Sequence, residues 1–241
     1  MKAAEEQKAE ERDEGLLLRI AEQRLYPSLK DPSYLVLRAR RLIFSDWAGQ
    51  LGENLTVMDV GGRYQPYRPL FEAHAGRYIA VDVVKTELVG VVADGQRLPF
   101  AAGSLDLVIL TQVMDYFDDP SRAVHEIHVA LKPGGVLIAS APACAPRFAE
   151  EEFWRFTGPG LRALLSDFAT VEIVPELHSL ASVIRTVNLA FESFVNFNAA
   201  RWIYRRTVCP FLNVLGLAVE KLALTSNDQF TANYSVRATK N

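Results

Sequence analysis

Hydrophobic positions change period several times along the chain. Within residues 1–28, alanines among charged residues give way to Leu16, Leu17, Leu18, Ile20 and Leu25, the pattern of a helix that is solvated early and packed late. After Asp31-Pro32, Leu35, Leu37, Leu42, Ile43 and Trp47 recur among arginines, which predicts a second amphipathic helix over 34–51. From there strand-like and helix-like stretches alternate. Strands are expected near 55–60, 77–82, 88–92, 105–111, 135–140 and 170–175, and helices near 66–74, 119–131 and 158–168. Asp119 is a good N-cap, Pro120 suits the first helical position, and Pro133-Gly134-Gly135 follow at the far end of that helix. Such alternation predicts an α/β chain whose parallel sheet is covered on both faces.

Beyond the sixth strand, about fifty residues read as helices before a last strand over 230–238, in which Phe230, Ala232, Tyr234 and Val236 alternate. One helix places Ile184, Val187, Phe191, Phe194 and Val195 on a single face, and another runs from Phe211 through Leu215 and Ala218 to Leu222. The insertion's longest uncharged run, Thr207 to Val219, is too short to span a bilayer. Phe194, Phe197, Trp202 and Tyr204 beside Arg201, Arg205 and Arg206 suit a helix lying at a membrane surface; the other readings are packing on the domain or across a homodimer.

Composition narrows the classes. A chain of 241 residues, 49% apolar, can bury the core of one α/β domain with extensions. A net charge of -3 leaves no footprint for a nucleic-acid backbone. Cys144 and Cys209 lie far apart without metal-ligand spacing, and His125 and His128 do not complete a metal set, so free thiols and no metal are expected. Met1 to Gly15 is dense in Glu, Lys and Asp, unlike a signal peptide, and a cytoplasmic location is expected.

The candidate chemistry starts at Val57-Met58-Asp59-Val60-Gly61-Gly62. A strand that stops at glycines lets the backbone approach a ligand, and the next apolar run, Tyr78 to Val81, ends on Asp82, an acid suited to ribose hydroxyls. The short loop Arg63-Tyr64-Gln65-Pro66 lacks the Gly-x-Gly-x-x-Gly of a dinucleotide site, and Tyr26 and Lys30, the only Tyr-x-x-x-Lys, precede the cofactor strand; both disfavour a nicotinamide oxidoreductase. Asp119-Pro120-Ser121-Arg122 is not the Asp/Asn-Pro-Pro-Tyr run of nucleic-acid amino methylation.

Asp59 and Gly61, Asp82, Asp94-Gly95, Leu98-Pro99-Phe100, Ser104 to Val108, Gln112 to Tyr116 and Leu131 to Gly135 occur in an order that resembles the class I S-adenosylmethionine (SAM) dependent methyltransferases, in particular the methyltransferase type 11 group, over roughly residues 55–168. The resemblance implies a Rossmann-like, seven-stranded, mostly parallel sheet with an antiparallel last strand and helices on both faces. It also implies a helical arm at 1–52, a methyltransferase domain at 53–241, and a helical insertion at 178–226 placed as a lid or acceptor region.

SAM is the implied cofactor. Asp59, Gly61 and Gly62 would wrap its methionine part, Asp82 would accept from the ribose, Asp94 and the Gly95 backbone would meet the adenine, and Gln112 would lie near the methionine end. Arg63 and Gln65 stand where the family prefers glycine, a substitution that forbids easy positive φ and places side chains near the ligand; Arg63 is then a partner for the cofactor carboxylate. Asp115-Tyr116 replaces a frequent Glu-His pair, with Asp115 as candidate base and Tyr116 as its orienting partner. Trp154 and Arg155, within a family-like Phe-Trp-Arg-Phe-Thr segment whose Thr157 can cap a helix, would face the acceptor. The implied activity is methyl transfer to a small or lipid-linked acceptor, with O-methylation of a saccharide as the leading expectation. The alternative is a SAM-binding scaffold or regulatory protein without turnover.

Overall fold

The computed structural model describes residues 14–147, 149–195, 197–222 and 227–241. The chain runs α1 (Glu14–Leu25), α2 (Tyr34–Ala48), β1 (Leu55–Val60), α3 (Arg68–Phe71, extended by a 3₁₀ turn Glu72–His74), β2 (Ala75–Asp82), β3 (Val91–Val92) and β4 (Leu105–Thr111). After a 3₁₀ turn at Met114–Tyr116 come α4 (Pro120–Ala130), β5 (Leu131–Pro142), α5 (Gly158–Leu164), β6 (Thr170–Pro175), α6 (Ser179–Phe194), α7 (Asn198–Arg206), α8 (Val208–Lys221) and β7 (Asn233–Thr239). The part of the expected arm before Glu14 lies outside the described residues, as does 223–226 at the end of the expected insertion.

The seven strands form one sheet in the order β3-β2-β1-β4-β5-β7-β6, the seven-stranded Rossmann-like arrangement expected. Every neighbouring pair is parallel except those made by β7, which runs antiparallel to both β5 and β6. Side chains alternate between faces along each strand. Met58, Val108 and Leu110 therefore join Ile127 of α4 and Leu161 of α5 on one face, whereas Val57, Leu107 and Ile109 meet Phe44 and Trp47 of α2 and Phe71 of α3 on the other. The cap prediction holds: Asp119 accepts from the Ser121 and Arg122 amides, both at 3.1 Å, and Thr157 accepts from Gly160 at 3.2 Å.

One local expectation is corrected. Pro133-Gly134-Gly135 does not end the helix: Leu131 is already extended, and Gly134, at φ +77°, bends the irregular start of β5. In the insertion the apolar stripes point outward, with Val187, Phe191 and Phe194 exposed on α6 and Phe211, Leu215 and Leu222 exposed on α8 or just after it. The inward faces instead carry Ala181, Ser182, Arg185, Asn188 and Leu189 from α6 and Cys209, Asn213, Gly216 and Val219 from α8. These faces are polar because they seat on backbone: Asn213 Nδ2 donates to the Leu29 and Asp31 carbonyls at 2.8 and 2.9 Å, and Tyr204 donates to the Asn188 carbonyl at 2.8 Å. A Cβ at Gly216 would overlap Leu35 of α2, so glycine sets how closely α8 lies on that helix.

Candidate functional site

Because six strands run one way, their carboxyl ends share one edge, and reversed β7 brings its first residue, Asn233, to the same edge. Ligands in open α/β sheets bind at this edge, where the strand order changes direction, here between β1 and β4. A cavity of about 610 Å³ opens there. Asp59, Gly61, Arg63, Asp82, Asp94, Gly95, Gln112, Asp115, Tyr116 and Arg155 from the sequence-based set all line it. Gly62 and Trp154 do not: Gly62 is packed beneath the loop, and the Trp154 indole donates to the Phe117 carbonyl at 2.8 Å.

The loop after β1 is built from backbone. The Gly61 and Gly62 amides both donate to the Val81 carbonyl, at 2.8 and 3.1 Å. Gly61 has φ +71° and a Cβ there would overlap Val113, so two independent constraints require glycine. Asp82 Oδ2 accepts from the Arg63 amide at 3.3 Å, and its Oδ1 accepts from Val84 at 2.9 Å, which fixes the carboxylate at the cavity wall. A Cβ on Gly95 would lie 2.7 Å from the Phe117 ring. Asp94 accepts from the Gln96 amide at 2.9 Å, and Gln112, at φ +54°, is held by Ser140 through its own amide at 3.0 Å and its side chain at 3.2 Å.

The residues that replace glycine behave differently from one another. Gln65 does adopt positive φ, +49°, contrary to the expectation from its side chain. The strain of that left-handed turn is offset because Gln65 is buried, donates to the Leu88 carbonyl at 2.7 Å and accepts from Arg68 at 3.0 Å. Its side chain therefore braces the loop and does not line the cavity. Arg63 does line it, lying 4.9 Å over the Tyr64 ring, which Arg24 of α1 also covers at 4.6 Å.

Two buried acids have unusual proton affinity. Burial pushes the Asp59 carboxyl up to about 7, opposed by the Tyr78 hydroxyl, which donates to it at 2.7 Å. Burial, with Glu152 nearby, raises Asp115 to about 6, and its Oδ1 has no hydrogen-bond partner among the described residues. Tyr116 donates to Glu152 at 3.3 Å, and Glu152 also pairs with Arg155. Arg155 spends its other donors on the carbonyls of Ala145, Trp154 and Pro146, so it organises the loop over the cavity.

The far end of the cavity holds residues that the sequence reading did not single out. Arg40 of α2 forms a buried two-point ion pair with Glu176, at 2.7 and 2.9 Å, and Glu176 also accepts from Asn233 at 3.1 Å and Ser235 at 3.0 Å. Arg185 of α6 is 3% exposed and lines the cavity beside them. Arg40 sits between Arg38 and Arg41 on α2, and Arg185 is the single arginine of α6; no local signal marks either as interior. A sulfonium nucleoside with an amino-acid tail fits the near end: β2 and the Asp94 turn supply acids, close-approach glycines admit the ligand, and Asp59 would regain its charge beside an ammonium.

Residues 58–139 match the family model described as a methyltransferase domain. An uncharacterized methyltransferase of Mycobacterium sp. (strain KMS) is 33% identical over 95 residues, 35% of this chain and 38% of that protein. The human mitochondrial arginine-hydroxylase NDUFAF5 is 31% identical over 95 residues, 35% of this chain and 28% of that protein. The chain thus matches well under half the length of either relative. Among solved structures, Haemonchus contortus phosphoethanolamine N-methyltransferase 2 in complex with S-adenosyl-L-methionine superposes with TM-score 0.51 at 13% identity, over 83% of this chain and 51% of that one, a likeness of fold. The matched segment runs from β1 into β5 and carries the glycine loop, Asp82 and Asp94, so the resemblance to a methyltransferase domain falls on the cavity-bearing half of the sheet.

Proposed function

We propose that the chain binds SAM at the β2-β1-β4 end of the cavity and transfers its methyl group to a small or lipid-linked acceptor at the β5-β7 end. The observation that carries this reading is the meeting in one cavity of Gly61, Asp82, Asp94 and Gln112 with buried Asp115, whose Oδ1 has no hydrogen-bond partner among the described residues. When bound, SAM supplies an electrophilic methyl group that is taken by the acceptor's lone pair, the C–S electron pair staying on sulfur. Such a displacement is accelerated mainly by alignment and exclusion of water. An acceptor hydroxyl must also lose its proton, and Asp115, raised to about 6, is largely ionised at neutral pH and able to take it. Tyr116 acts on the acceptor side of the same turn, tied to Glu152. A saccharide hydroxyl is the leading acceptor in this reading.

The outward-facing Phe191, Phe194, Phe197, Trp202 and Phe211, with Arg206 over Trp202 at 4.0 Å, support peripheral contact with a membrane that carries a lipid-linked acceptor. Among the described residues no helix is long and apolar enough to cross one. Burial of the same face in a homodimer is the competing arrangement, and liposome flotation together with sedimentation separates them. A second reading, SAM binding without methyl transfer, draws support from the relative named an arginine-hydroxylase, whose printed activity is not methylation. Calorimetry with SAM, followed by radiolabelled methyl transfer to aqueous and lipid extracts, tests both. Binding with labelled product supports transfer, binding without product in any fraction supports the second reading, and absence of binding overturns the two together.

A further inference from the structure

Glu176 is saturated by Arg40, Asn233 and Ser235, yet a second guanidinium, that of Arg185, is buried next to this group. No carboxylate among the described residues lies within ion-pair distance of Arg185, and its Nε and Nη1 have no hydrogen-bond partner. Arg40 opposes it in charge, while Glu176 and Asp31 act on it only at longer range, and burial lowers its proton affinity to about 10. Buried charges are ordinarily paired, because leaving one unpaired costs several kcal/mol. Nearby, Asn233 turns its Nδ2 to Glu176, so its buried Oδ1 is an acceptor without a donor. Both residues face the cavity.

We infer that Arg185 is the seat for an anionic oxygen group, carboxylate or phosphate, on the methyl acceptor, and that Asn233 Oδ1 receives a donor from the same molecule. The inference rests on the proposed methyl transfer and names the class of acceptor. The position argues for acceptor over cofactor. Asp82 lies on β2 and Asn233 on β7, four strand spacings or roughly 19 Å apart, and the expected cofactor contacts end at Gly61 and Gln112 on β1 and β4. A guanidinium presents parallel N–H groups that match either anion at two points.

The test uses the full chain, saturated with S-adenosylhomocysteine, titrated with inorganic phosphate and separately with malonate, in the wild type and in Arg185→Gln and Arg185→Lys. Expected are binding of at least one anion by the wild type, weakened about tenfold to a hundredfold in Arg185→Gln, and unchanged affinity for the nucleoside. The preferred probe distinguishes phosphate from carboxylate. Arg185→Lys keeps a charge without the planar fork and should show an intermediate loss. Without anion, Arg185→Gln should melt at or above the wild-type temperature, since an unpaired buried charge has been removed; a clearly lower melting temperature assigns Arg185 a structural role and overturns the inference. So does equal anion binding in wild type and variant, absence of anion binding by the wild type, or a selective loss of S-adenosylhomocysteine affinity, which would seat the cofactor carboxylate there instead. If the wild type fails to bind S-adenosylhomocysteine, the SAM reading falls, and the anion titrations repeated on the unliganded chain judge Arg185 separately.

Discussion

At the β2-β1-β4 end of the cavity the chain presents backbone and short acids: glycines that stop a strand, and carboxylates at Asp82 and Asp94 whose positions follow from strand ends and tight turns. At the β5-β7 end it presents long side chains from three distant segments, Arg40 from α2, Arg185 from α6 and Asn233 from β7, gathered around Glu176. The first end is local in sequence and tolerates little change in shape. The second is assembled across the whole chain and depends on complementary charge. A site built in this way can keep one ligand while its other half is rebuilt around a different one.

The comparison can be broken experimentally. Gly61→Val combines a left-handed backbone with overlap onto Val113, and calorimetry should detect no SAM binding; retained affinity would remove the loop from the site. Glu176→Ala strands buried Arg40 and should cost about 3–5 kcal/mol in urea unfolding, whereas replacing both partners by apolar residues should recover much of that loss. A cost near zero would mean that the far end is not held by charge. Asp115→Asn should lower methyl transfer to a hydroxyl about 10²-fold or more and abolish a wild-type rate that rises through about pH 6, while SAM affinity stays unchanged. An unaltered pH profile would relieve Asp115 of the role of base. Asn213→Ala removes the side-chain donor shared by the Leu29 and Asp31 carbonyls, and should cost about 1–3 kcal/mol and raise hydrogen exchange in α8 before the sheet responds.

A last effect, read as a slope against pH, sits at the near end. Asp59 has its folded value raised to about 7 from an ordinary value of 3.8, so between those pH values the native state holds a proton that the unfolded chain releases. Stability of the unliganded protein should therefore fall as pH rises across that window, with Asp115 adding to the fall up to about pH 6. Asp59→Asn should flatten the slope, and a stability that rises over the same interval would contradict the burial argument.

Strand positions, both helix caps and most of the residues that line the cavity were legible because they depend on short-range rules: period-two runs, N-cap chemistry, and glycine at a strand end. β3 was harder, since only Val91–Val92 pair, and the residues before them serve the Gln65 brace. Which face of the insertion is buried was not legible, for a physical reason. Period reveals that a helix has two faces but does not say which is buried, and here Ser182, Arg185 and Asn188 recur at the spacing of a solvated stripe while finding their partners in remote segments or in the cavity. Gln65 also escaped, because a side chain that bonds a loop 23 residues away can hold a backbone conformation usually left to glycine.

The reversed strand has a consequence for how the molecule is made. β7 is not an edge strand; it slots between β5 and β6, which do not pair with each other directly. While the chain is being synthesised, β6 must wait without a strand partner until Asn233–Thr239 emerge and bridge the gap. Leu177, Ala181 and Val219, which the finished fold packs with Ala232, are uncovered during that interval, when long-range pairing is slow and association with other chains is most dangerous. The same seven residues that complete the far wall of the cavity thus set the time at which this inner apolar cluster closes.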